Sequence, residues 1–339
     1  MTYPHANGYA DHGKSLVLVQ NIEGKYSLIK YDLETLETSV LTDFAQHETV
    51  GQAHDTFFDI AADANTLVYL ADEAVWLLDI DNPDSPRRVF VAPEGETLGG
   101  LLSIKRDGSK LLAPVSRDDR FGVFEVDIAT CEAKRIIDKP WWANHYHYCP
   151  HDESWIGFCH EGKTTTVPDR VWAYHPVHAP DGRQMIDQHF DTPADHLCLG
   201  HERWCFHDTS VVVVAYGESE SYNRGIFEAF VDGRPKRLIS RFDRDWHVNI
   251  TLDGKWAVVD TTGPHDEPGR SWENAGHVSD VMIVDMKTGG RQFIARSRLY
   301  SHPSHPHPIF SPDSRWIFYN EADESFKRNR VMRVANPWT

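Results

Sequence analysis

The chain has 339 residues, 40% of them hydrophobic and 25% charged, which is ordinary globular composition with length for a large core. A net charge of −17 without any basic run argues against a nucleic-acid partner, because phosphate binding needs clustered Lys and Arg. No apolar run is long enough to cross a membrane, Met1 to His5 carry neither a charged nor an apolar leader pattern, and the five cysteines form no CxxC pair, so the expectation is a cytoplasmic protein with reduced, mostly buried thiols.

In chain order, one short pattern recurs. An acidic turn residue stands just ahead of an apolar, β-branched run: Asp11 before Leu16 to Val19, Asp63 before Leu67 to Leu70, Asp107 before Leu111 and Leu112, and Asp152 before Trp155 to Phe158. Asp208 precedes Val211 to Val214, Asp253 precedes Trp256 to Val259, and Asp313 precedes Trp316 to Tyr319. The seven turns are spaced roughly 44 to 60 residues apart, the period of a propeller blade. Asp-Gly and Pro-Asp turns between apolar runs are hairpin chemistry.

A third strand follows most turns, as in Tyr26 to Tyr31, Ala74 to Ile80, Phe121 to Val126 and Val281 to Asp285. A fourth follows in Arg87 to Val91, Arg135 to Ile137 and Arg237 to Ile239. Four strands in each of seven units predict an all-β, seven-bladed β-propeller, and no long amphipathic helix pattern competes. A blade cannot bury both its faces alone, so residues 1–339 are expected to form a single domain around a central channel. The last unit shows no fourth strand after Val331 to Val334, and residues before Asp11 are expected to supply it. The longest connections fall at about 162–169, 179–199 and 261–279, and loops of that length are often functional.

The repeat also serves as a ruler. The residue six before the turn aspartate should enter the innermost strand beside the channel mouth. For Asp253 it is His247, and for Asp313 it is His307. His201 lies one further out from Asp208, and Tyr146 at the Asp152 position is flanked by His145 and His147. Blade one offers His5, whereas blades two and three offer Phe57 and Leu101. Histidines thus gather at one level on blades four to seven.

The run Ser301-His302-Pro303-Ser304-His305-Pro306-His307-Pro308 is expected to be extended, because proline fixes φ and disfavours helix before it. Alternate residues of an extended chain share a face, so His305 and His307 would form half of a metal site. A polar loop with chance histidines is the competing reading. Arg170, after His160-Glu161-Gly162, has the fork of donors that suits a carboxylate. A surface salt bridge to Asp169 would explain it equally well.

Several motifs carry a family resemblance. Phe158-Cys159-His160-Glu161-Gly162, Arg170-Val171-Trp172, Gly200-His201-Glu202-Arg203-Trp204, His247 with Leu252-Asp253-Gly254, and His305-Pro306-His307-Pro308 with Phe310-Ser311-Pro312-Asp313 resemble the oligogalacturonate lyase family in order and spacing, from about Trp141 to Tyr319. That family is a seven-bladed propeller that cleaves short pectin fragments by β-elimination, with Mn²⁺ at the channel mouth. The resemblance implies that His247, His305 and His307 are metal ligands, His201 is the general base, and Arg170 meets a substrate carboxylate. The chain departs from the family at His302, where the family has a glutamine ligand. A fourth imidazole there makes the site richer in nitrogen and brings Zn²⁺, Ni²⁺ and Fe²⁺ into competition with Mn²⁺.

Elimination from a uronide removes a proton alpha to a carboxylate. A divalent cation and an arginine on that carboxylate stabilise the enolate-like transition state, and a base of near-neutral pKa such as histidine then suffices. The expected partner is a small acidic oligosaccharide. His145, His147, His160, Arg203, Trp204 and Tyr216 are further candidates for sugar contact or leaving-group protonation, with packing as the competing role. Two other functions stay open: a lyase or isomerase for a different uronide, and a non-catalytic propeller that binds glycan or protein, which the coherent set of histidines and arginine makes the weaker of the two.

Overall fold

A computed structural model describes residues 8–22, 25–43, 47, 57–188, 196–220, 223–299, 305–325 and 329–339. Seven antiparallel sheets follow one another along the chain, one per turn-aspartate repeat, so the protein is all-β and a seven-bladed β-propeller. Among the described residues no helix is long and apolar enough to cross a membrane.

The turn aspartates act as local caps. Asp107 accepts the N–H of Ser109 at 2.9 Å and its hydroxyl at 2.6 Å. Asp152 repeats this with Ser154, and Asp253 and Asp313 accept the N–H groups of Lys255 and Arg315. A short carboxylate that satisfies its own turn fixes where each hairpin reverses. A second aspartate does the same at the far end of the third strand: Asp32, Asp127 and Asp285 each accept two N–H groups from the residues that follow.

The chain divides into two compact units, residues 1–148 with 156–159, and residues 149–155 with 160–339. In the first unit, the first sheet comprises Tyr9–Ala10, Ser15–Ile22, Lys25–Asp32 and Thr38–Asp43. Tyr9 pairs with Leu16 and Ala10 with Ser15, so these residues are the innermost strand of that sheet. They do not supply an outer strand to the seventh sheet, which has three strands among the described residues. Residues 1–7, His5 among them, lie outside the described residues. The unit's apolar core includes Leu28, Leu67, Tyr69 and Leu78 in one cluster and Val68, Val75, Leu111 and Val126 in another.

In the second unit the fifth sheet comprises Leu199–Trp204, Ser210–Ala215, Gly225–Phe230 and Arg237–Arg241. The sixth comprises Asp245–Ile250, Trp256–Thr261, Val278–Asp285 and Arg291–Arg298, and the seventh Ile309–Phe310, Trp316–Ala322 and Asn329–Ala335. Ser210–Ala215 is buried at every position, which explains its unbroken apolar run. The connection expected at 179–199 is shorter than its sequence suggests. Ala179–Gln184 is a strand paired with Val171–His175. The hairpin between them closes because His175 Nδ1 accepts the N–H groups of Val177 and His178.

Candidate active site

Three of the predicted histidines enter on irregular backbone. His201 lies in Leu199–Trp204, whose pairing with the next strand slips between Gly200 and Arg203. Its φ is +52°, in the left-handed region. His145, at the corresponding place before its own turn aspartate, has φ +56°, and Gly100 has φ +89°. Such bulges re-aim a side chain out of the strict alternation of a strand. The pairing around His247 slips in the same way, between Asp245 and Val248.

The run before the seventh sheet is not uniformly extended. His307 has φ +44°, so the face-sharing expected of His305 and His307 does not hold, and their rings stand at 90° with centroids 5.8 Å apart. The two flanking prolines have no N–H, which leaves that of His307, and Asp260 Oδ2 accepts it at 3.0 Å. Asn320 fixes the same run by donating its N–H to the Pro306 carbonyl at 2.7 Å and its side-chain amide to the His305 carbonyl at 3.2 Å.

The rings nevertheless converge. His247 lies 3.8 Å from His307, 5.4 Å from His305 and 4.0 Å from His201, centroid to centroid. All four side chains are buried. Asp260, which the sequence reading missed, organises them. Its carboxylate accepts the His247 N–H at 2.7 Å and approaches His247 Nδ1 at 2.8 and 3.0 Å, besides taking the His307 N–H. Burial pushes the Asp260 carboxyl up to about 6, against the opposing pull of His305. With Nδ1 of His247 committed to a carboxylate, Nε2 keeps its lone pair, as in a carboxylate–histidine–metal arrangement.

His201 is held differently. The Trp246 carbonyl lies 2.7 Å from His201 Nδ1, and a carbonyl only accepts, so Nδ1 carries the proton and Nε2 the lone pair. The Tyr216 hydroxyl also lies 2.7 Å from Nδ1. Gly200 makes this approach possible, because a Cβ there would collide with the phenol oxygen. Burial, reinforced by His247 and Arg170, holds the His201 imidazole well below its ordinary pKa, so the ring is neutral near pH 7.

Arg170 is buried, but its fork is filled. Nη1 and Nη2 donate to Glu161 at 2.7 and 3.0 Å, and Nε faces Glu202 at 3.5 Å. The alternative partner Asp169 pairs with His160 Nδ1 at 2.7 Å instead. Trp204 packs into the apolar core with Val211 and Phe227, which favours the packing role. Arg203 lies over the Phe206 ring. His147 Nδ1 lies 2.6 Å from the His145 carbonyl in the first unit. His302 lies outside the described residues.

The donor set fits a divalent ion that accepts nitrogen ligands: three imidazoles, one of them oriented by a buried carboxylate. A tighter group exists elsewhere in the second unit, where donor atoms of His265, Asp266 and Asp280 lie within 4.8 Å of one another. There Arg296 donates to both aspartates and supplies the positive charge itself. Among the described residues, the donor atoms of His247, His305 and His307 are not gathered within that distance.

A family profile described as oligogalacturonate lyase matches residues 111–334, well over half of the chain. The chain is 22% identical to the oligogalacturonide lyase of Pectobacterium atrosepticum, covering 94% of this chain and 85% of that one. It is also 22% identical, with the same coverage, to the oligogalacturonate lyase of Dickeya dadantii. Among solved structures, an oligogalacturonate lyase in complex with manganese superposes with a TM-score of 0.82 at 20% identity, over 100% of this chain and 91% of that one.

Proposed function

This chain belongs to the oligogalacturonate lyase family of carbon–oxygen lyases, and on that premise we propose that it cleaves short oligogalacturonides by β-elimination, with His201 as the base. The observation that carries this reading is the placement of His201. Its Nδ1 lies 2.7 Å from the Trp246 carbonyl, which can only accept, and the ring stands 4.0 Å from His247 in a cluster of imidazoles.

In the proposed reaction, His201 Nε2 takes the proton from C5 of the uronide. The electron pair of that C–H bond forms the C4–C5 double bond, the C4–O bond breaks, and the departing oxygen takes up a proton from water. His247, His305 and His307 would hold a divalent ion, with Mn²⁺ as the first candidate. Bound there, the ion neutralises the uronate carboxylate and lowers the cost of carbanion character at C5. Positioned proton abstraction is worth about 10²- to 10⁴-fold.

Arg170 enters in two ways. Its charge helps keep His201 deprotonated, as the lowered imidazole pKa indicates. Direct contact with a substrate carboxylate requires Glu161 to release the guanidinium fork.

The test is to incubate the Mn²⁺-loaded protein with saturated and unsaturated digalacturonate and follow absorbance of the new double bond. His201→Ala should lower turnover by about 10²- to 10⁴-fold while leaving metal affinity intact. Unchanged turnover in that variant would remove His201 as the base, and no turnover with any divalent metal would sink the assignment.

A further inference from the structure

The connection between Trp256–Thr261 and Val278–Asp285 was singled out by length alone, and the function above makes no use of it. Its backbone is built around one buried cation. Arg244 is 1% exposed and donates to four carbonyls of this segment: Thr262 at 3.0 Å, Ser271 at 3.1 Å, Pro268 at 3.2 Å and Glu273 at 2.8 Å. Gly269, at φ +158°, lies against the guanidinium so closely that a Cβ would collide with Nη2. The Thr262 hydroxyl donates to the Ser271 carbonyl at 2.6 Å, and the Ser271 N–H donates to the Asp243 carbonyl at 3.0 Å. A loop held at this many points is fixed in place rather than merely long.

This scaffold presents Trp272. The residue is 39% exposed, yet its ring makes edge-to-face contact with His305 at 5.6 Å and with Trp246 at 5.2 Å. Trp246 in turn lies stacked 6.2 Å from His305, and its carbonyl orients His201. A half-exposed tryptophan therefore adjoins both the metal-binding histidines and the backbone that positions the base. Part of each face of a pyranose ring carries only C–H bonds, and a large, flat apolar surface is what such a face packs on.

We propose that Trp272 is a stacking platform for a sugar ring of the oligouronide, held in register with the histidine cluster by Arg244. The inference rests on the functional reading above and extends it to a residue that governs chain binding. In operation the platform binds the sugar next to the unit whose carboxylate meets the histidines, so it contributes to affinity for oligomers and not to the proton transfer.

The experiment uses Mn²⁺-loaded protein carrying His201→Ala, which should bind without turning over, alone and combined with Trp272→Ala or Trp272→Phe. Affinity for trigalacturonate is measured by calorimetry, and metal affinity by titration against a chelator. The expected result is a loss of roughly tenfold in trigalacturonate affinity with Trp272→Ala, the order of one aromatic contact, with most of it recovered by Trp272→Phe and metal affinity unchanged. Equal sugar affinity in the alanine variant would overturn the platform alone. A parallel loss of metal would also overturn it, since the indole would then act through His305. Failure of trigalacturonate to bind while Trp272 is intact would overturn the functional reading, and the platform with it.

Discussion

An imidazole acts as base or ligand only through the nitrogen its neighbours leave open. His201 and His247 reach the same outcome by different neighbours, a backbone carbonyl for one and the Asp260 carboxylate for the other. Asp260 also grips the His307 N–H, so one side chain sets both a ring and the backbone of a second ligand. Replacing it with asparagine keeps the shape but removes the charge and one acceptor. Asp260→Asn should weaken Mn²⁺ binding by about 10- to 100-fold, the usual effect of losing an outer partner of a metal ligand. Free Mn²⁺ measured by electron paramagnetic resonance would report it, and undiminished affinity would show that Asp260 only packs. The histidines were visible in sequence because their type and phase are unusual. Asp260 was not, although a carboxylate closing the apolar run Trp256-Ala257-Val258-Val259 was an available signal. Arg170 was visible as a cation, but the glutamates that fill its fork stand 9 and 32 residues away, a distance only the fold closes.

At the level of strands and loops, the turn aspartates were legible because their job is local: a carboxylate satisfies N–H groups two or three residues on, and spacing alone betrays it. The left-handed backbone at His145, His201 and His307 was not, since nothing in the flanking residues demands φ above zero. The hairpin that makes Ala179–Gln184 a strand was hidden by polar composition. The sixth sheet offers a test of how such a distant network holds. Asp280 is fully buried in Val278–Asp285 and accepts from Arg296 at 2.8 and 3.0 Å and from the His265 N–H at 2.7 Å. Burial alone would raise this carboxyl, but the Arg296 and His265 bonds outweigh it and hold it below 3.8. A carboxyl depressed in the folded state adds stability above its unfolded pKa and loses it as pH falls through the folded one. Asp280→Asn should therefore cost about 3 kcal/mol near pH 7, the lower end for a broken buried pair because Arg296 is half-exposed and retains Asp266. The gap between the two proteins in urea unfolding should narrow below about pH 4, where the unfolded wild-type chain takes up a proton at this carboxyl before the folded one does, and close as pH falls through the folded pKa. A gap that stays constant with pH would assign the loss to packing.

The whole chain brings seven repeats and a net charge of −17 to a substrate that, under the proposed function, is itself an anion. The repeat number and the charge were both readable before any fold was known, because neither depends on which residues meet. Their consequence for encounter is a matter of range. At low salt the screening length is about 30 Å, so an approaching uronide feels the acidic surface as a whole and is repelled. At 0.1 M ionic strength the length falls to about 10 Å, and most of that repulsion is removed. The attraction of a metal-loaded histidine cluster acts over a few ångströms inside a buried site and is screened far less. Raising ionic strength from about 0.01 to 0.1 M should therefore raise kcat/KM through a lower KM and leave kcat unchanged, because the proton transfer occurs after encounter. Steady-state kinetics in potassium chloride, with a neutral osmolyte as control, would measure this. A KM that climbs with salt would mean that a local positive field already dominates the approach, and the acidic surface would then be irrelevant to substrate capture.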